Sequence, residues 1–360
     1  MTSIAPAPRR QLMAGSEAIV AAAVEAGCRF FAGYPMTPFT EVLEAFARRL
    51  PPVGGVCINA ESEIEAVGMA WGALATGARA ATGSTGQGLS LMMESFSEIA
   101  RAELPLVVIN MARGQYDYTQ ATRGGGHGDY RHLVLAPIDV DEAVDLVPLA
   151  FDLADRWRNP VQIYGDYLLA HTVQSVAVAP RAFPPLPAKD WAVDGSLGGT
   201  GRARNINSLG LVRDLKGIRP QELWTRLQAK WDRMAAEEIR FEAEHTADAE
   251  LVVVAFGSLA KFARYVVRQL RAEGRAVGYF RPITLWPFPK VELGRAAGGC
   301  RRIAVLEQNA GQMVEDVLLS VLGRVETVSI GGISTDNSGF GVGDLLNADE
   351  VRRRIEGALP

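Results

Sequence analysis

Three observations on the 360-residue sequence predict an α/β fold made of two units. From Ala14 to about Asp166, short apolar runs alternate with segments of helical periodicity, a pattern typical of a parallel sheet covered by helices. A proline-rich stretch at 179–187 interrupts this pattern, and a similar alternation resumes near Glu250. A chain of this length is expected to form about two domains, each with its own core.

The first unit, residues 1–175, is predicted to contain five strands separated by five helices. The strands are the short apolar runs at 29–34, 56–58, 78–82, 104–110 and 161–164. The helices are predicted at 16–26, 40–48, 61–74, 89–100 and 140–156, and several begin after a Ser, Thr or Asp that is suited to capping.

Residues 176–246 are predicted to connect the two units. The prolines at 180–187 favour extended chain. Farther along this charged segment, four apolar residues recur at helical spacing: Leu223, Leu227, Trp231 and Met234. Their spacing predicts an amphipathic linker helix at 220–245 that lies on a domain surface.

The second unit, residues 247–360, is predicted to begin with an apolar strand at 250–256. A Gly257-Ser258 turn and a helix at 259–272 follow it, as in open α/β sheets. Further strands are predicted at 277–280, 303–306 and 325–330.

Composition excludes several classes of protein. Hydrophobic residues make up 48% and charged residues 22% of the chain, which excludes a disordered or fibrous protein. Lys and Arg number 37 against 41 Asp and Glu, so there is no basic excess for nucleic-acid binding. No window reaches the roughly 18 apolar residues of a membrane span, and no signal peptide is evident, so a cytoplasmic protein is expected.

The three cysteines, Cys28, Cys57 and Cys300, are far apart in the sequence. They predict no disulfide framework, no zinc site and no iron–sulfur cluster. If the protein takes part in electron transfer, the metal is therefore expected on another chain.

Two segments place polar side chains near predicted strand ends. The motif GYPMTP at 33–38 follows the first predicted strand and fits either a ligand-binding loop or a turn stiffened by two prolines. The acidic segment ESEIE at 61–65 opens a helix, and helix-dipole stabilisation explains two of its carboxylates. Glu63 lies on the predicted buried face, where a desolvated carboxylate needs a partner or a function.

Three further segments carry possible binding groups. The loop TGSTGQG at 82–88 fits either backbone recognition of an anion or flat ring, or close packing. Arg113 ends another strand and is suited either to capture of a carboxylate or to a structural ion pair. The segment 123–132 contains two histidines, and a glycine-rich loop with unusual φ angles is favoured over a metal site. No nucleophile elbow or HExxH motif is present.

Taken together, these segments resemble the α subunit of the 2-oxoacid:ferredoxin oxidoreductases, and the resemblance covers nearly the whole chain. Its most specific parts are AGYPMTP at 32–38, AESEI at 60–64, RGGGHGDY at 123–130, GRARN at 201–205, FRPITLWPFP at 280–289 and EQNAGQMVED at 307–316. Within this family the sequence is most similar to the branched-chain type, which acts on 3-methyl-2-oxobutanoate, with the 2-oxoglutarate type close behind.

The resemblance implies a thiamine-diphosphate pyrimidine-binding domain followed by a transketolase-C-terminal-like domain. It also implies conversion of a 2-oxoacid and coenzyme A to acyl-CoA, CO2 and reduced ferredoxin. A partner β subunit is expected to hold the diphosphate, Mg²⁺ and a [4Fe-4S] cluster, since the Gly-Asp-Gly…Asn diphosphate motif is missing here. Separate γ and δ (ferredoxin-like) subunits are expected as well.

The resemblance also implies roles for six residues. Glu63 is expected to be the catalytic carboxylate that hydrogen-bonds the aminopyrimidine ring of the cofactor. Thr37 and Arg113 are expected to hold the substrate carboxylate. Tyr34, Pro35 and Gly86 are expected to bind the cofactor together with Glu63, and no residue of this chain is expected to bind a metal.

The chain departs from the family pattern in three places. Most relatives carry a longer Gly-Gly-Pro-rich loop after the arginine, so the substrate here is expected to be larger or different. Gln87 stands where relatives often have Pro, and Phe39 stands where small hydroxyl residues are usual, so Phe39 is expected to line an apolar substrate site. The sequence leaves two alternatives: one chain of a split non-redox thiamine-diphosphate decarboxylase, and a paralogue that has lost catalysis.

Overall fold

The computed structural model describes residues 10–193, 220–333 and 346–360. In the first unit the strands are β1 (Gln11–Ala14), β2 (Phe30–Gly33), β3 (Val56–Asn59), β4 (Ala80–Ser84), β5 (Val107–Ala112), β6 (Leu133–Leu135), β7 (Val161–Asp166) and β8 (Val173–Val176). The helices are α1 (Gly15–Glu25), α2 (Thr40–Arg49), α3 (Glu63–Ala75), α4 (Gly86–Leu91), α5 (Met93–Arg101), α6 (Tyr118–Arg123), α7 (Val140–Trp157) and α8 (Tyr167–His171). The GRARN segment at 201–205 lies outside the described residues.

The rest of the described chain continues with α9 (Pro220–Glu237), β9 (Phe241–Glu244), β10 (Leu251–Ala255), α10 (Gly257–Ala272), β11 (Val277–Pro282), β12 (Thr284–Trp286), α11 (Lys290–Ala296), β13 (Arg302–Leu306), α12 (Met313–Val321), β14 (Glu326–Ser329) and α13 (Ala348–Gly357). Within the described ranges, none of these helices has both the length and the apolar character needed to cross a membrane.

Two sheets organise the molecule. The first has the order β12-β6-β7-β5-β4-β2-β3, and all of its neighbouring pairs are parallel except β12 with β6. The second has the order β14-β13-β10-β11-β9, in which only β9 is antiparallel to its neighbour. A short ribbon joins β1 to β8. The predicted α/β class is therefore confirmed.

Burial on both faces explains why the central strands appear in the sequence as continuous apolar runs. Strands β4, β5, β7 and β10 are buried along their whole length, as expected for parallel strands covered on both faces. Helix α1 packs against α2 and α7 over the first sheet, and α10 packs against α13 over the second. These layers leave the strand ends as the places where polar side chains gather.

The linker helix is confirmed as an element, but its predicted end at 245 is wrong. Helix α9 ends at Glu237, and β9 then pairs antiparallel with β11, where the rings of Phe241 and Phe280 stack 5.4 Å apart. Edge pairing and this aromatic contact outweigh the helical tendency of the charged segment. The predicted helix at 89–100 is also two helices, α4 and α5.

The two units are joined by a strand and by a buried ion pair. Strand β12 of the second unit adds to the edge of the first sheet at β6. The fully buried guanidinium of Arg281 donates two hydrogen bonds of 2.7 Å to Glu142 of α7 and one of 3.0 Å to Glu242 of β9. These contacts fix the second unit beside the end of the first sheet.

Candidate active site

Four of the predicted site residues follow four neighbouring strands of the first sheet. Thr37 follows β2, Glu63 follows β3, Gly86 follows β4 and Arg113 follows β5. These strands are parallel, so their carboxyl ends share one edge of the sheet. The strand order reverses between β2 and β4, which is where open α/β sheets bind ligands.

Glu63 is the first residue of α3. The Ser62 hydroxyl caps the helix by accepting a hydrogen bond from the Glu65 N–H, and the Glu65 carboxylate accepts one from the Glu61 N–H. Glu63 itself is only 2% exposed, and its Oε1 accepts a hydrogen bond of 3.1 Å from the Ser84 hydroxyl. The structure thus separates one buried carboxylate from the two that face solvent at the helix start.

Gly88 lies directly against this carboxylate. A Cβ atom at Gly88 would stand 2.2 Å from Glu63 Oε1 and 2.1 Å from Ser84 Oγ, closer than any real side chain packs. Because Gly88 has no Cβ, the backbone of α4 lies against the acid. The sequence pattern indicated the loop at 82–88 but neither the contact of Ser84 nor the reason for Gly88. The available signal was a hydroxyl at the end of a buried strand.

Arg113 joins the loops after β2 and β4. Its Nε donates to the Thr37 carbonyl at 3.1 Å, and its Nη1 donates to the Gln87 side-chain oxygen at 2.8 Å. Thr37 and Arg113 are therefore neighbours, linked through the threonine backbone, while the threonine side chain is exposed. The arginine is half-buried, with its guanidinium at the open edge of the sheet.

The N–H and the carbonyl of Gly86 each form a hydrogen bond with a side chain. Its N–H donates to Asp117 Oδ2 at 3.1 Å, and its carbonyl accepts from Gln120 Nε2 at 3.2 Å, with the glycine in the left-handed region at φ 45°. Burial raises the pKa of the Asp117 carboxyl, opposed by the hydrogen bond from the Gly86 N–H. The sequence pattern did not indicate Asp117 and Gln120, because nothing local shows that their side chains reach a loop about thirty residues away.

The remaining predicted residues divide into exposed and buried groups. Tyr34 and Pro35 lie in the loop between β2 and α2 and are exposed on the same side of the sheet as Thr37. Phe39 is fully buried, with its ring centroid 6.1 Å from that of Phe31 in the core. The expectation that Phe39 lines a substrate site is therefore wrong, because the ring turns inward to fill space beneath β2.

The histidine-containing segment is a packed loop. Gly124 and Gly128 have φ angles of 75° and 69°, and the Tyr130 hydroxyl accepts hydrogen bonds from the Gly125 and Gly126 N–H groups. His127 pairs with Glu98 at the surface. His132 is buried, which lowers its pKa to about 4. Among the residues that the structure describes, no group of three His, Cys, Asp or Glu side chains is placed to hold a metal ion.

Two family models match the chain. Residues 21–190 match the family described as pyruvate flavodoxin/ferredoxin oxidoreductase, thiamine diphosphate-binding. Residues 249–336 match core domain II of pyruvate:ferredoxin oxidoreductase. The two matches correspond to the first and second sheets.

Individual relatives agree with these models. The ketoisovalerate oxidoreductase subunit VorB of Methanothermobacter thermautotrophicus is 40% identical over 321 residues, which cover 86% of this chain and 89% of the relative. The 2-oxoglutarate synthase subunit KorA of Methanocaldococcus jannaschii is 34% identical over 376 residues, which cover 96% and 99% of the two chains. Both relatives are named as subunits.

Among solved structures, a 2-oxoglutarate:ferredoxin oxidoreductase from Magnetococcus marinus, with 2-oxoglutarate, coenzyme A and succinyl-CoA bound, is similar at a TM-score of 0.80 and 25% identity. The match covers 98% of this chain and 66% of that chain. A split-gene transketolase, an inactive β4 tetramer, shares the fold at a TM-score of 0.58 and 16% identity over 96% of this chain. The family and fold class indicated by the sequence motifs are confirmed, and the chain belongs to the 2-oxoacid:ferredoxin oxidoreductase subunits, with a thiamine-diphosphate-binding domain followed by core domain II.

Proposed function

We propose that this chain is the α subunit of a thiamine-diphosphate-dependent 2-oxoacid:ferredoxin oxidoreductase. With its partners it converts a 2-oxoacid and coenzyme A to acyl-CoA, CO2 and two electrons held by the reduced acceptor. The observation that carries the proposal is the buried Glu63 carboxylate, which accepts a hydrogen bond from Ser84 and lies against Gly88. It is at the same edge of the sheet as Arg113.

The residues at this edge fit the pyrimidine half of thiamine diphosphate. The Gly86–Gly88 turn presents backbone with no side chain next to the buried acid, a surface suited to a flat ring. Tyr34 and Pro35 are exposed on the neighbouring loop and are proposed to contact the same ring. When bound, thiamine diphosphate supplies an electron sink for the electron pair released by decarboxylation.

Glu63 is proposed to form a hydrogen bond with a ring nitrogen of the cofactor and to share the proton of that bond. Its carboxylate is desolvated, so a hydrogen bond to it is stronger than one made in water. The Ser84 hydroxyl occupies one side of Oε1 and fixes the direction in which the carboxylate points.

Arg113 is proposed to bind the carboxylate of the 2-oxoacid, assisted by Thr37. The guanidinium uses Nε and Nη1 to hold its own orientation against Thr37 and Gln87, so its remaining N–H donors can face a ligand in a fixed direction. Holding the substrate carboxylate in this way orients the carbon–carbon bond that breaks when CO2 leaves. No metal-binding role is proposed for this chain.

The remaining parts of the enzyme are proposed to lie on partner chains. A β subunit would supply the diphosphate and Mg²⁺ site and a [4Fe-4S] cluster, and γ and δ subunits would complete the path to ferredoxin. Ile64 and Met69 are 56% and 39% exposed on α3, the helix that begins with Glu63. Both apolar side chains lie on the exposed side of α3, next to the proposed site, where a partner chain would cover them. We also propose a cytoplasmic location, which cell fractionation would test.

The substrate proposed first is 3-methyl-2-oxobutanoate, followed by 2-oxoglutarate. The names of the relatives support both, since VorB is a ketoisovalerate and KorA a 2-oxoglutarate enzyme subunit. The short connection from Arg113 to α6 adds larger 2-oxoacids, including aromatic ones, to the compounds worth testing.

The test is purification of the tagged chain with its partners from the native host. Iron, thiamine diphosphate and partner masses are measured, and viologen reduction is assayed with a panel of 2-oxoacids, each with and without coenzyme A. Iron-bearing partners and reduction that needs both a 2-oxoacid and coenzyme A are expected. Thiamine diphosphate without iron would instead indicate a split decarboxylase, and absence of both would contradict a catalytic role.

A further inference from the structure

A short segment after Arg113 lies between the two units of the molecule. This segment, residues 115–120 and called the strap below, comprises the loop at 115–117 and the first three residues of helix α6. Gln115 at its start is 1% exposed, although glutamine is usually found at the surface. A buried amide of this kind must have its donor and acceptor both satisfied.

The partners of Gln115 all belong to the second unit. Its Nε2 donates to the Phe256 carbonyl at 2.8 Å, and its Oε1 accepts from the Gln308 N–H at 3.0 Å. Its own carbonyl accepts from Asn309 Nδ2 at 2.9 Å. Three hydrogen bonds therefore fix this one residue to the ends of strands β10 and β13.

The next part of the strap is held by Gln312, which precedes α12. Its Nε2 donates to the Tyr116 carbonyl at 2.8 Å, and its Oε1 accepts from the Thr119 N–H at 2.7 Å. Gln312 is itself fixed, because the buried Glu307 carboxylate accepts hydrogen bonds from the N–H groups of 312–314. The second unit thus presents a rigid frame to the strap.

The other contacts of the strap reach the candidate active site. Asp117 accepts from the Gly86 N–H, and Gln120 donates to the Gly86 carbonyl and to Ser90 Oγ at 2.7 Å. Arg113 is separated from Gln115 only by Gly114, so the backbone that carries the guanidinium is held by β5 on one side and by Gln115 on the other. The anchor at Gln115 therefore adds a backbone constraint to the contacts that the guanidinium makes with Thr37 and Gln87.

We infer that Gln115 is a positioning residue. Through it, the second unit holds Arg113 and the first turn of α4 at Gly86, called the Gly86 turn, in the orientation that substrate binding needs. This inference rests on the proposed function. Gln115 does not touch the substrate; it holds the strap so that the guanidinium points into the site. None of the six predicted site residues belongs to the second unit. Through Gln115, this unit nevertheless affects the reaction.

The experiment compares purified complexes that carry wild-type chain, Gln115→Met and Gln115→Glu. Methionine keeps the length and loses both side-chain hydrogen bonds, whereas glutamate keeps the acceptor for the Gln308 N–H. We expect Gln115→Met to raise KM for the 2-oxoacid about tenfold while kcat stays within about threefold. Gln115→Glu, which places an oxygen where Nε2 donates to the Phe256 carbonyl, is expected to raise KM at least as much, and KM for coenzyme A is expected to remain unchanged.

Lys261→Met is the matched control. It removes a 2.9 Å ion pair with Asp139 that also joins the two units but lies away from the strap. Its KM is expected to equal that of the wild type. Hydrogen exchange gives a second measurement: the amides at 84–90 are expected to exchange faster in Gln115→Met than in either the wild type or the control.

The outcomes separate the inference from the proposed function. A wild-type complex that reduces no viologen with any 2-oxoacid overturns the proposed function, and the exchange measurement still decides whether Gln115 orders the Gly86 turn. An active wild type with unchanged KM and exchange in Gln115→Met overturns the inference, and so does a loss confined to kcat. If Gln115→Met does not assemble, Gln312→Met decides: a raised KM supports the inference and an unchanged one contradicts it.

Discussion

At the scale of single residues, Gly88 lies directly against the Glu63 carboxylate that we propose to be catalytic. A methyl group at Gly88 would collide with the Glu63 carboxylate and the Ser84 hydroxyl. We expect Gly88→Ala to turn the carboxylate away from its present direction and to lower 2-oxoacid-dependent viologen reduction at least about a hundredfold. Steady-state assays of the purified complex measure this.

Gly299→Ala is the control for that substitution, because no atom lies within 4 Å of the Cβ position at Gly299. Activity of the control is expected to match the wild type. If Gly88→Ala complexes assemble and retain full activity, the proposed place of Glu63 in the reaction is wrong.

His132 provides a second test at this scale. Burial lowers its pKa to about 4, whereas the unfolded chain has a histidine pKa of about 6.5. Between these values the unfolded state binds a proton that the folded state does not, so stability falls as the pH falls.

We expect the wild type to lose about 2 kcal/mol more unfolding free energy than His132→Gln between pH 7 and pH 5. Glutamine is polar and does not titrate. Urea unfolding at the two pH values measures the difference, and identical losses in the two proteins would show that His132 is not buried in its neutral form.

At the scale of elements, helix α9 belongs to the core of the first unit. Trp231 is buried and its Nε1 donates to Asn159 Oδ1 at 3.1 Å, while Lys230 reaches the buried Glu103 carboxylate. Burial lowers the pKa of Lys230 to about 8, although Glu103 opposes this shift. The helix is therefore a fixed part of the fold.

Trp231→Ala is expected to lower the free energy of unfolding by about 3 kcal/mol, because it removes a buried aromatic side chain and leaves Asn159 without its indole donor. Urea unfolding followed by fluorescence and circular dichroism measures the change. The exposed Gln228→Ala is expected to stay within about 0.5 kcal/mol. Equal stability of the two variants would mean that α9 does not pack on this core.

The sequence predicted elements well where the periodicity was local. The apolar runs that became β2, β3, β4, β5 and β7 were predicted within a few residues. The short β6 was missed, and β9 was taken as helix, since each depends on a partner strand far away in the chain. The three residues of β6, although apolar, and the mixed polar and apolar residues of β9 form segments too short to carry a local preference that shows that partner.

At the scale of the whole molecule, four parallel strand ends bring Thr37, Glu63, Gly86 and Arg113 to one edge of the first sheet. The sequence pattern indicated the loops at 33–38 and 82–88, the buried position of Glu63 and the strand-end position of Arg113, and the family resemblance supplied the roles proposed for the four residues. The sequence did not indicate Asp117, Gln115 or Ser84, because their side chains bond to residues far away in the chain. The contacts of Gln115 cross between the two units, which β12 and Arg281 also join, and no local pattern reveals such pairing.

The Glu63 carboxylate is proposed to be essential for the reaction of the assembled enzyme. The most direct measurement compares viologen reduction by complexes carrying Glu63→Gln and Glu65→Gln, with thiamine diphosphate and iron content measured in each. Both substitutions keep the side-chain size, but only Glu63 is buried against Ser84, whereas Glu65 is exposed. Glu63→Gln is expected to lose at least about a hundredfold in rate and Glu65→Gln to stay within about threefold. A fully loaded Glu63→Gln complex with the wild-type rate would contradict the account.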